Sequence, residues 1–207
     1  LFVDIRRSLI FRLVPGGEPE VIRDSSGGSN GLTFDLQGRL VMCEGDNRLV
    51  TRMEPDGTVS PVATEWEGKR LNRPNDVVGR SDGSIYFTNP GGRLEPAERE
   101  IGFNGVHRVT PGGTVTAVIT DFEYPNGLAF SPDESVLYVA NTREFMHIRA
   151  FDVEPDGSVT NARVFADMSS DEPDGMKVDV EGRVYCTGPG GCWVFDPSGD
   201  LLGVVSL

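Results

Sequence analysis

The sequence predicts an all-β protein, most of a β-propeller, and three observations carry that expectation. One plan recurs four times along the 207 residues. The recurrence, counted between Asn30, Asn75, Asn126 and Asp174, is 45, 51 and 48 residues, which is the length of a propeller blade. Within each unit the apolar residues alternate or run in stretches of four to seven, bounded by Gly, Pro, Asp and Asn. That is the pattern of short strands joined by hairpins.

Taken in order, LFVDI, SLIFRLVPG and PEVIR precede the first full unit and read as three outer strands of one blade. Each full unit opens on a first strand, NGLTF, NDVVG, NGLAF or DGMKV. A turn (LQG, SDG, SPDE or VEG) leads from it to a second apolar run. Third strands follow in LVTRMEPDG, GVHRVTPGG, HIRAFDVEPDG and GCWVFDPSG, and fourth strands in VSPVAT, VTAVITD, ARVFAD and LLGVVSL. The PDG, PGG and PSG triplets between them are turn chemistry. Residues 94–100 are the best helix candidate and are expected to form a loop insertion. Residues 1–207 thus read as one propeller domain with about four complete blades and most of a fifth. Raw sheet edges are what propellers remove by closing into a ring, so a partial chain, incomplete at both ends, is expected.

Composition narrows the function. No apolar run approaches the roughly 20 residues of a membrane span, and the turn-rich make-up is that of a soluble protein of cytoplasm or periplasm. A net charge of −13 argues against a nucleic-acid partner and is compatible with cation binding. Cys43, Cys186 and Cys192 make no disulfide framework; Cys186 and Cys192 are close enough to bridge one hairpin, but reduced, half-buried thiols are expected.

In a propeller, equivalent positions of successive blades lie on a ring around one axis. Asn30, Asn75, Asn126 and Asp174 open the innermost strands and should converge on the channel mouth. Four oxygen donors suit a hard cation such as Ca²⁺, and the lack of Cys and His there argues against a zinc thiolate site. The competing reading is that Asn-Gly and Asp-Gly simply open turns. His107 and His147 fall in third strands, as satisfied or exposed residues. Glu44 is expected to face solvent, Trp66 and Trp193 to pack, and TGPGG to form a tight hairpin; no GxSxG nucleophile motif occurs.

RLNRPNDVVGRSDGSIYFTNP, EYPNGLAFSPDESVLYVANT and PDGMKVDVEGRVY resemble, in order and along nearly the whole chain, the senescence marker protein (regucalcin), gluconolactonase and luciferin-regenerating enzyme family. The bacterial gluconolactonase-type members look closest. The resemblance implies a six-bladed β-propeller holding a divalent metal in its channel, Ca²⁺ first, with Zn²⁺, Mn²⁺ or Mg²⁺ as alternatives. It also implies a metal-dependent hydrolase whose partner is a small-molecule lactone, a sugar lactone or a relative. Phosphotriester hydrolysis at the same site, and a non-catalytic propeller binding calcium or a small molecule, are the alternatives. Carried over by position, Asn126 and Asp174 match metal ligands, and Asn75 matches a metal ligand or a substrate contact. Arg73 matches a substrate-contacting arginine, and Asn30 is expected to line the substrate pocket without binding metal. As the one ionisable group of the ring, Asp174 is the candidate to orient or deprotonate water. The chain departs from the family in four respects: the acidic ligand has no counterpart, the last blade is lacking, the Glu-His-Gly of many bacterial members is replaced by Glu44, Gly45 and Asp46, and FTDP reads FTNP at Asn89.

Overall fold

The computed structural model describes residues 1–168 and 172–206. It contains a three-stranded sheet of β1 (Phe2–Asp4), β2 (Leu9–Arg12) and β3 (Glu20–Arg23), followed by four four-stranded blades. These are β4 (Ser29–Phe34), β5 (Leu40–Glu44), β6 (Leu49–Met53) and β7 (Val59–Ala63); β10 (Val77–Gly79), β11 (Ile85–Asn89), β12 (Asn104–Val109) and β13 (Val115–Phe122); β14 (Pro125–Phe130), β15 (Val136–Asn141), β16 (His147–Val153) and β17 (Val159–Asp167); and β18 (Met176–Val178), β19 (Val184–Gly188), β20 (Gly191–Phe195) and β21 (Leu201–Val205). Every blade is an antiparallel meander in chain order. A short hairpin of β8 (Glu65–Trp66) and β9 (Lys69–Arg70), which the pattern does not announce, lies between the first two four-stranded blades. Residues 94–100 are a loop insertion holding one 3-10 turn, Pro96–Glu98. The last strand ends at Val205, and Leu207 of LLGVVSL lies outside the described residues.

The turns between first and second strands form for a local reason. Asp35 Oδ1 accepts from the Gln37 and Arg39 amides at 2.9 Å each, and Oδ2 accepts from Arg39 Nε at 2.8 Å. Gly38 takes the left-handed φ of 74° that closes the turn. Asp179 and Arg183 repeat the arrangement around Gly182.

Blades with a neighbour on each side are covered on both faces, so their central strands are apolar on both faces. In β5, Leu40 and Met42 pack with Ile10 toward the first sheet, while Val41 and Cys43 pack with Phe87 toward the next blade. In β11, Phe87 faces back and Tyr86 faces forward, into a core with Leu128, Val139 and Phe151. Alternation therefore persists, but both sets are buried and the sequence reads as continuous apolar runs.

Two expectations about single residues are corrected. Glu44 does not face solvent: it is 2% exposed, pairs with Arg23 at 2.7 Å, and accepts from Thr51 Oγ1 and Asn47 Nδ2 at 2.6 Å each. The end of β5 is covered by β3 and its own loop, which local patterning does not encode. His107 is neither exposed nor satisfied by hydrogen bonds. Its ring is fully buried, stacks on Phe87 (5.4 Å) and Phe103 (5.7 Å), and meets the edge of Trp66. Neither ring nitrogen has a hydrogen-bond partner among the described residues, and burial lowers its pKa to about 4. The three cysteines are free thiols, as expected, with Cys43 and Cys186 fully buried and Cys192 half-buried; Cys186 lies opposite Trp193 and Cys192 opposite Thr187, which sends those two thiols to opposite faces. His147 is half-buried, its Nδ1 against the Phe145 carbonyl, and Trp66 packs on Phe103 as expected.

Candidate active site

The four inner strands, β4, β10, β14 and β18, begin at the same end of the molecule. Their opening residues are aimed by local irregularity. The register shifts between Ser29 and Leu32 in β4 and between Pro125 and Leu128 in β14, so Asn30-Gly31 and Asn126-Gly127 both sit in bulges. A bulge turns side chains out of the pleat, here toward the axis. The backbone amides of Asn75 and Asp174 are anchored on the second strands of their own blades, at Thr88 O (2.9 Å) and Thr187 O (2.8 Å).

The glycines after Asn30 and Asn126 answer the competing reading of these dipeptides. Gly31 N donates to Asn75 O at 2.7 Å, and Gly127 N donates to Asp174 O at 3.2 Å. A Cβ at Gly31 would lie 2.4 Å from Asp76 Cα, and one at Gly127 would lie 2.2 Å from Asp174 O. Neither glycine has a left-handed φ. They are not turn residues; they allow β4 and β14 each to touch the inner strand of the next blade.

Asn30, Asn75, Asn126 and Asp174 all line one cavity of about 620 Å³, together with Asp76, Lys177 and the edge of β1. Asn30 Nδ2 donates to Asn75 Oδ1 at 2.6 Å. Asn126 Nδ2 donates to Thr142 Oγ1 at 3.0 Å, and that hydroxyl donates to Pro173 O at 2.6 Å. Although Asp174 is exposed toward the cavity, the surrounding protein displaces enough water to raise its carboxyl above the usual range. The Asn126 amide opposes that rise and Glu172 adds to it.

Two further charged residues of the cavity escape sequence reasoning. Asp76 is 8% exposed, and burial raises its carboxyl against the pull of the Lys177 ammonium and of the Val77 and Leu128 amides. Its signal was present in the repeat: Asp76 occupies the place filled by Gly31, Gly127 and Gly175 in the other units. Lys177 is exposed to the cavity from β18, opposite Tyr185.

Arg73 is not part of the cavity wall. Its stem lies over Gly45 and Gly92, where an added Cβ would come within 3.3 Å and 2.7 Å of it, and its Nη2 pairs with Asp46 Oδ1 at 2.6 Å. Asp46 is the residue that ends the Glu44-Gly45-Asp46 departure.

The donor set consists of side-chain amide oxygens, carboxylates and hydroxyls. No group of three or more His, Cys, Asp or Glu stands together among the described residues. Oxygen-only donors around a desolvated carboxylate fit a hard divalent cation better than a soft one.

The family described as SMP-30/Gluconolactonase/LRE-like region matches residues 1–207. This chain belongs to that family. Among members, it is 32% identical over 211 aligned residues to the gluconolactonase of Zymomonas mobilis, covering 94% of this chain and 59% of that protein. It is 32% identical over 140 residues to the pentonolactonase XacC of Haloferax volcanii, covering 63% of this chain and 44% of the relative. The chain thus spans about half of each of these two relatives. The solved gluconolactonase of Xanthomonas campestris superposes with a TM-score of 0.92 at 36% identity, over 99% of this chain and 70% of that one. The all-β propeller architecture is shared across that superposition.

Proposed function

We propose that this member of the SMP-30/gluconolactonase family is a metal-dependent hydrolase that opens sugar or related small lactones. The observation that carries the reading is the convergence of Asn75, Asn126 and Asp174, from three blades, on one cavity. At about 620 Å³ that cavity suits a small ligand. Two relatives bear lactonase names, which supports the substrate class.

In this reading Asn126, Asp174 and Asn75 hold the cation, Ca²⁺ being the best match to their oxygens. Bound there, a divalent cation would polarise the lactone carbonyl and lower the pKa of a water. Asp174 receives the proton of the attacking water. It is the ionisable group among the four ring residues and it lines the cavity, so it is the one of the four that can take up that proton. The hydrogen bond from Asn30 holds the Asn75 amide in one orientation, with its carbonyl committed toward Asn30 and the cavity. Asn30 and Asn75 present polar atoms to the substrate, whereas Arg73, paired with Asp46 outside the cavity wall, is given no substrate contact.

The test is proton release from gluconolactone and several five-membered lactones, with metal-stripped protein and after restoring Ca²⁺, Mn²⁺ or Zn²⁺. Turnover that vanishes on stripping and returns with one cation is the expected result. A protein that binds a cation and opens no lactone would overturn the enzymatic reading in favour of a binding propeller.

A further inference from the structure

The inner strands are stitched to one another in two different ways. From β4 to the next blade, and from β14 to the next, the stitch is backbone to backbone: Gly31 N to Asn75 O, and Gly127 N to Asp174 O. Between β10 and β14 the equivalent glycine is Asp76, and its own amide is taken by Thr88 Oγ1 at 2.9 Å. The connection is made instead by its side chain. Asp76 Oδ1 accepts from the Val77 amide at 2.8 Å, and Oδ2 reaches across the blades to accept from the Leu128 amide at 3.4 Å. Its Cα is also the surface against which Gly31 packs from the preceding blade.

From this we infer that Asp76 is a positioning residue, a side-chain stitch that sets the spacing of Asn75 from Asn126 across the cavity. The residue follows Asn75 directly, and its partner Leu128 follows Asn126 by two positions. Any slackening of the stitch therefore changes the separation of those two amides. A carboxylate is suited to the place because both of its oxygens accept, so one group binds an amide in its own strand and one in the next. An asparagine would turn its NH₂ toward one of the two N–H groups and lose that bond. The polarity and burial of the site make such a loss costly. This inference deepens the proposed function, on which its cation readout rests, but its spectroscopic readout does not depend on that function.

The experiment compares Asp76→Asn and Asp76→Ala with Tyr86→Phe. Tyr86 OH donates to Gly157 O at 2.7 Å, a buried bond between the same two blades that lies outside the cavity wall. Each variant is examined for melting temperature, for the ¹H–¹⁵N signals of the Asn30, Asn75 and Asn126 side-chain amides, and for Ca²⁺ affinity by calorimetry. Asp76→Asn is expected to shift the Asn75 and Asn126 amide signals and to weaken Ca²⁺ binding by about 10–100-fold, the range for outer partners of metal ligands. Tyr86→Phe is expected to lower the melting temperature similarly and to leave the amide signals and affinity at parent values. Unmoved amide signals in Asp76→Asn, or equal shifts in Tyr86→Phe, would overturn the assignment. A parent protein that binds no Ca²⁺ would count against the proposed function, while the amide signals would still decide the role of Asp76.

Discussion

Replacing Glu44 with alanine should cost this protein a large part of its stability, and the size of the loss follows from the surroundings of the carboxylate. Glu44 and Arg23 are 3% and 14% exposed at their side chains, and they meet at 2.7 Å. Removing one partner of a buried pair leaves the other charge without compensation, which costs about 3–5 kcal/mol. Thr51 Oγ1 and Asn47 Nδ2 lose their acceptor at the same time. A loss of about 4 kcal/mol is then a substantial fraction of the roughly 5–15 kcal/mol typical of a folded domain. With a urea slope of about 2–3 kcal/mol/M, the midpoint should fall by about 1.3–2 M. Equilibrium urea unfolding followed by tryptophan fluorescence measures it directly, with Trp66 and Trp193 as reporters. The double variant Arg23→Met/Glu44→Leu should recover most of the loss, because an apolar pair of similar volume avoids the desolvation of two ions. A Glu44→Ala loss below about 1 kcal/mol, the value of an exposed pair, would refute the reasoning and mean that the pair is solvated.

The remaining predictions concern the ring and the core. Asp174→Asn should weaken Ca²⁺ binding more than about 100-fold and abolish lactone turnover, with circular dichroism unchanged; Asn126→Ala should do the same less severely, because a neutral donor is lost. Turnover near the parent level in Asp174→Asn would sink the role given to that carboxylate. Gly127→Ala should destabilise by about 3 kcal/mol, since its methyl would sit 2.2 Å from Asp174 O, whereas Gly38→Ala, with open space but a φ of 74°, should cost about 1 kcal/mol. Thermal or urea midpoints of the two variants distinguish close approach from turn strain. His107 has a native pKa of about 4, below its ordinary value of 6.5, so the unfolded chain binds its proton first on acidification. Stability from the neutral, buried ring is complete above about pH 6.5 and is lost as pH falls toward 4, by up to roughly 3 kcal/mol. His107→Phe should remove that part of the acid slope, and unfolding midpoints that stay parallel between pH 7 and 4.5 would contradict it.

Blade spacing and most strand positions were legible in the sequence because both are written locally. A hairpin closes on an Asp that caps its own turn and a Gly that takes the left-handed φ, as at Asp35 and Gly38. The ring of Asn30, Asn75, Asn126 and Asp174 was legible for a related reason: a repeat puts its equivalent positions around one axis. The short β8–β9 hairpin was not, since four residues in two strands carry no periodicity.

The sequence by itself determined the all-β architecture, the repeat, and which residues open the inner strands, since each depends on neighbours a few positions away. Tertiary structure alone decided what those residues meet. Glu44 reads as an end-of-strand acid until Arg23 of another sheet covers it, and His107 reads as a strand histidine until Phe103 and Trp66 close over it. Gly31 and Gly127 carry the letters of a turn, yet they serve the contact with a strand some 45 to 48 residues further on. Asp76, standing where the repeat has glycine, makes with its side chain the connection that its neighbours make with their backbones. Burial and hydrogen bonding are set by whatever the chain brings into contact, and in a propeller those partners come from the adjoining blade.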